Sequence, residues 1–122
     1  MSRMHVETTD GQTRFEPGAE IHVRLEWDLE REPDTLELRL VWNTAGKGTA
    51  DLDVVETVRF DAPMSHGDRT ASMRLPDSPY SFSGKLISLV WALELVALPG
   101  RESTRHEILI GPGAREVQLT PV

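Results

Sequence analysis

A chain of 122 residues with 39% apolar and 27% charged residues is long enough for one hydrophobic core and too short for two. It contains no Cys, which excludes disulfides, thiolate metal ligands and cysteine nucleophiles. Lys and Arg number 13 against 20 Asp and Glu, a formal charge of −7 that repels phosphate backbones and anionic lipid, so no nucleic-acid partner is expected. No run is apolar for long enough to cross a bilayer, so no membrane insertion is expected either. Met1 to Glu7 holds no apolar run of the signal-peptide kind, and a cytoplasmic location is the expectation.

In chain order the dominant signal is period two, which lays alternate side chains on opposite faces of a strand. A first strand is placed near 4–8. After the turn Glu16-Pro17-Gly18, Ile21, Val23, Leu25 and Trp27 alternate with His22, Arg24 and Glu26 in a strand near 19–28. Glu32-Pro33-Asp34 then leads to Leu36, Leu38, Leu40 and Trp42, alternating with Glu37, Arg39 and Val41 over 35–44. Ala45-Gly46-Lys47-Gly48 reads as the tip of a long hairpin. Its second arm, near 51–61, sets Leu52, Val54, Val58 and Phe60 on one parity with Glu56 interrupting. Ala62-Pro63 and Ser65 to Asp68 close that arm, and a strand near 69–75 follows. Pro76 to Gly84 is a loop rich in Pro and Ser. Ile87, Leu89, Trp91, Leu93 and Leu95 form the longest apolar row, within a strand near 85–98. Pro99-Gly100 turns the chain into a strand near 103–110, and Gly111-Pro112-Gly113 separates it from a last one near 115–119. Roughly eight strands at this spacing, with no helical periodicity, predict a single antiparallel β-sandwich spanning 1–122.

The strand near 85–98 is apolar on both faces. Leu86, Val90, Ala92 and Val96 lie opposite the Ile87–Leu95 row, with Ser88 and Glu94 as the exceptions. A terminus or loop covers this outer face, or the face is an adhesive patch for a partner; coverage is the preferred reading.

The segment from Leu75-Pro76-Asp77-Ser78-Pro79-Tyr80-Ser81-Phe82-Ser83-Gly84 through Trp91 and Glu94 resembles arrestin-like domains. There a strand ending in Leu-Pro leads to a Pro-Ser-aromatic-Gly loop and then a long alternating strand. Phe15-Glu16-Pro17-Gly18-Ala19-Glu20-Ile21 resembles the Pro-Gly-Glu entry to an early strand of that family, and the Leu36–Leu40 row fits its pattern. The resemblance runs over roughly residues 15 to 110 and is most specific in the loop from Pro79 to Gly84. It implies an immunoglobulin-like sandwich, one lobe of the two that arrestins carry, used as a scaffold or adaptor. The charged polar core and phosphate-sensing element of that family have no match in this sequence.

Residues that invite chemistry are better explained by structure. Thr44 to Thr49 lacks the first Gly of a phosphate loop and leads to a strand instead of a helix, so a hairpin turn accounts for it. Asp51 and Asp53 share a strand face, yet a hard cation wants about six oxygens from several directions, and a solvated face is the expectation. Glu56, on the apolar parity, calls for a bulge that turns it outward or for an Arg partner such as Arg24 or Arg39. His5, His22, His66 and His106 lack ligand spacing. Ser81, Ser83 and Ser88 lie outside any nucleophile elbow. Trp27, Trp42 and Trp91 fall on inward parities and belong to the core, while Tyr80 and Phe82 either anchor their loop or form an exposed tip. No catalytic centre, metal or cofactor is expected. The expected role is a non-catalytic protein-interaction or scaffold module that binds a partner or a second copy through a free edge strand or the surface of Leu86, Val90, Val96, Tyr80 and Phe82. A carbohydrate- or lipid-binding sandwich is the alternative.

Overall fold

The computed structural model describes residues 2–46 and 50–119. Ten strands follow in order: β1 Arg3–Thr8, β2 Arg14–Phe15, β3 Glu20–Asp28, β4 Thr35–Gly46, β5 Leu52–Asp61, β6 His66–Arg74, β7 Phe82–Ser83, β8 Ile87–Leu98, β9 Glu102–Ile110 and β10 Val117–Gln118. A 3-10 turn at Pro112–Ala114 is the only helical element among the described residues, and no helix there is long and apolar enough to cross a membrane. The long strands coincide with the alternating rows of the sequence. The two-residue strands β2 and β7 were not expected, because two residues carry no periodicity to read.

β1, β3 and β6 form a three-stranded antiparallel sheet with β3 at its centre. The larger sheet follows the path β10–β7–β8–β4–β5, with β9 pairing β8 and β2 pairing β9. It branches because β8 shares one edge between two partners: Leu89 and Ser88 pair with β7, and Trp91 to Ala97 pair with β9. The other edge of β8 pairs with β4 along the whole of both strands. The sheet thus stays an open half-barrel beside the separate small sheet. This corrects the expected fold: the chain is all-β, but it is not the eight-stranded immunoglobulin-like or arrestin-like sandwich. Periodicity reports which residues lie in strands and says nothing of the order in which strands pair, which is where the expectation failed.

One core joins the two sheets. Leu36, Leu38 and Leu40 of β4 and Leu93 and Leu95 of β8 are fully buried against Ile21, Val23 and Leu25 of β3 and Met73 of β6. Each such aliphatic side chain stabilises the fold by about 1.5–3 kcal/mol. The alternation in β3 is strict, with every odd residue from Ile21 to Trp27 buried and every even one exposed. Trp91 and Trp27 are buried and find hydrogen-bond acceptors for their indole N–H groups, Trp91 at the Pro79 carbonyl (3.0 Å) and Trp27 at the Met64 carbonyl (2.8 Å). Trp42 is half-buried and packs against the same core.

A β-bulge reshapes β5. Leu40 pairs with Glu56 and Val41 with Val54, so Val55 is an extra residue with no partner on β4. Directly opposed residues share a face. Val58 and Phe60, opposite Leu38 and Leu36, therefore face the core side, and so does Glu56, opposite Leu40. Beyond the bulge the facing reverses: Leu52 and Val54 lie with Asn43 and Val41 on the outer face, and Asp53 lies with Trp42. The sequence reading put Leu52 and Val54 on the same face as Val58 and Phe60. One inserted residue is enough to undo that, because the side-chain period is two. The bulge does not turn Glu56 outward, and neither Arg proposed for it is its partner: Arg24 pairs with Glu26 and Arg39 with Glu37.

Candidate interaction surfaces

On the outer face of β8, Ala92 and Val96 are buried, Val96 to 6% exposure, as is Val41 beside them on β4. Beside them stands a lattice of long side chains from the same face, and Arg101, from the turn after β8, borders Val96 together with Arg39 and Glu94. Arg105 of β9 donates to Glu94 (2.9 Å) and to the Asn43 side-chain oxygen (2.6 Å) and lies 3.8 Å from Glu107. Arg39 pairs with Glu37 at 2.7 Å. Aliphatic stems of charged side chains shield apolar surface while their heads stay in water. Arg105→Ala should therefore lower stability by about 1 kcal/mol through uncovered Ala92 and an unpaired Glu94. Urea unfolding followed by circular dichroism reads this directly, and an unchanged midpoint would show that the lattice shields nothing.

The remaining residues of that candidate surface scatter. Leu86 is 64% exposed, just ahead of β8. Its carbonyl faces Gly46, where a Cβ would come within 2.0 Å of that oxygen, so the close approach of β4 and β8 requires glycine there. Val90 is half-buried beside a shallow depression that Ser81, Leu89, Ile108 and Glu107 also line. Phe82 is half-buried against the core, and Tyr80 is exposed. Val96, beneath the lattice, is not gathered with the others into one patch.

The residues weighed for chemistry hold structural positions. Ser81 is buried; its hydroxyl accepts the Ile110 N–H at 3.0 Å, and its own N–H donates to the Ile110 carbonyl at 2.7 Å. Gly46 has a φ of 141° at the end of β4, and β4 leads antiparallel into β5, as a hairpin does and a phosphate loop does not. Lys47 to Thr49 lie outside the described residues. Strand pairing brings histidines onto a shared polar face of the small sheet: Arg3, Asp28 and His66 form one row, and His5, Glu26 and Asp68 the next. His5 contacts Glu7 (3.2 Å) and His22 contacts Ser72 (2.9 Å). His106 faces inward opposite Leu93, and its buried Nε2 has no hydrogen-bond partner among the described residues. Among the described residues no group of three or more His, Asp or Glu is arranged to hold a metal ion.

The feature that stands apart is β5. It pairs with β4 on one side and ends the path of the larger sheet on the other. Only Val58 and Phe60 of its ten residues are even partly buried. Leu52 is 66% exposed, and Val54 and Val55 are exposed with it. Asp51 holds the turn through its backbone: its N–H donates to the Thr44 hydroxyl, and its carbonyl accepts the Thr44 N–H, both at 2.9 Å. In the sequence these aliphatics look no different from core residues, because the bulge that exposes them sits in an ordinary Val-Val pair.

The geometry is thus an open two-sheet β domain in which two long strands, β5 of the larger sheet and β6 of the smaller, are paired on one side only, and of the two β5 carries the exposed aliphatics. A similar fold occurs in Spo0M, the sporulation control protein of Bacillus subtilis, with a TM-score of 0.65 and 13% identity over 89% of this chain and 49% of that one. The chain spans about half the length of Spo0M, and at this identity the likeness is one of fold. The β-glucosidase of Listeria innocua, solved in complex with gluconolactone, aligns over 95% of this chain and 16% of that one at 11% identity, with a TM-score of 0.49, too low to carry an argument. No family model and no curated protein matches the chain. The likeness to Spo0M replaces the arrestin-like and immunoglobulin-like assignment.

Proposed function

We propose that this domain is a non-catalytic protein-interaction module that takes an extended segment of a partner as an additional strand beside β5. The observation that carries the reading is the ten-residue length of β5 with pairing on one side only. Such an edge offers a row of backbone N–H and C=O groups, and an incoming strand gains ladder hydrogen bonds there. Exposed Leu52, Val54 and Val55 add apolar area beside that ladder. A sugar- or lipid-binding role has less to draw on, because Trp27 and Trp91, the platforms such a role would use, are spent in the core. Spo0M is a sporulation control protein, and a control role is one that a binding module can serve.

Peptides selected from a random displayed library supply the test. The selected peptide is expected to slow amide hydrogen exchange across Leu52–Asp61, and N-methylation of its alternate amides along one edge is expected to abolish binding. Protection confined to other strands, or binding indifferent to N-methylation, would rule out strand addition at β5.

A further inference from the structure

The two faces of β5 differ in chemistry, and an added strand meets both. Leu52 and Val54 stand on the outer face; Asp53 and Glu56 stand on the other. A regular guest strand bridges Val55 as β4 does on the opposite edge, by skipping it. Along Leu52–Glu56 its side chains then alternate between an aliphatic surface and a carboxylate surface, whereas farther along Val58 and Phe60 lie on the carboxylate side and Thr57, Arg59 and Asp61 on the outer one. Asp53 and Glu56 are exposed, and neither has an ion-pair partner among the described residues, whereas Arg59 is already held by Asp61 at 2.8 Å. Arg74 lines the depression beside Val55 and forms no ion pair with either carboxylate.

We infer that the occupant of this edge is an extended segment in which apolar residues alternate with Lys or Arg. The inference rests on the strand-addition reading and adds the chemistry of the partner to it. Opposite charges paired across strands stabilise a ladder, and like charges directly opposed destabilise it. The same rule argues against a second copy of this chain. Antiparallel pairing of two β5 strands about a twofold axis keeps each face on its own side, so a register centred on the exposed Leu52–Glu56 stretch sets carboxylate against carboxylate, and the −7 charge of each chain adds to the repulsion.

Three synthetic peptides of equal length, alternating Val with Lys, Val with Thr or Val with Glu, are titrated into the full chain and read by fluorescence anisotropy. The Lys peptide is expected to bind roughly tenfold more tightly than the Thr peptide, with the Glu peptide weakest. Asp53→Asn with Glu56→Gln, two exposed isosteric changes, is expected to erase the preference while leaving Thr-peptide binding as it was. Equal binding of the Lys and Thr peptides overturns the charge inference and leaves strand addition standing. A Lys preference that survives the double substitution overturns it too, since the attraction then lies elsewhere. No binding by any peptide removes both readings. Dimers in light scattering that dissociate on Val54→Lys would make the occupant a second copy.

Discussion

Trp91→Ala is expected to lower the unfolding free energy by about 3–5 kcal/mol, the range for a large aromatic removed from a packed core. Trp91 is fully buried in β8, between Trp42 of β4 and Ile108 of β9. Its indole also ties the core to the loop before β7 through the Pro79 carbonyl. Truncation leaves a void, and it leaves that carbonyl without its donor. Trp91→Phe should recover most of the packing but not the hydrogen bond, and so fall between the two. Urea unfolding followed by far-ultraviolet circular dichroism measures all three proteins. A loss below about 1 kcal/mol for the alanine variant would mean that the core closes over the site and that Trp91 is not the centre of the larger sheet.

Ser81→Ala comes second, at about 1–3 kcal/mol. The substitution removes a single hydroxyl, yet that hydroxyl is the acceptor for the buried Ile110 N–H. Leaving a buried donor unsatisfied carries the full desolvation penalty, which is larger than the net worth of an average hydrogen bond. The backbone bond from the Ser81 N–H to Ile110 remains, so the expected defect is a loosened junction between β7 and β9, not a lost strand. Ser83→Ala, on a half-buried neighbour with no side-chain hydrogen bond described, should change stability by less than about 0.5 kcal/mol. Equal effects from the two would show that the Ser81 hydroxyl has no special place in that junction.

Much of the fold was legible because half-buried strands write their facing into the sequence. The rows Ile21 to Trp27, Leu36 to Leu40 and Leu89 to Leu95 are core residues in the structure as in the pattern, while Ile87, at the start of the last row, is exposed and Trp42, at the end of the second, is half-buried. Three things were not legible. Pairing order is set by long-range contacts that leave no local mark, so the branching at β8 stayed hidden. Arg105 and its partners share the face of buried Ala92 and Val96, and a charged residue in a polar row looks the same whether it shields a neighbour or only meets water. The candidate edge was hidden by the bulge at Val55. The pattern points to an edge strand as a binding mode, but it draws the surface at Leu86, Val90, Val96, Tyr80 and Phe82 and places the aliphatics of β5 in the core.

Val55 also makes the edge sensitive to register. Were Val55 to enter the ladder opposite Val41 instead of being skipped, Leu52 and Val54 would swing in beside Val58 and Phe60, sending the greasy stripe to the interior side, whereas removing Val55 outright would leave both where they are. What a visiting strand encounters here is thus set by phase: the same residues, paired with or without the skip, would offer it opposite sides.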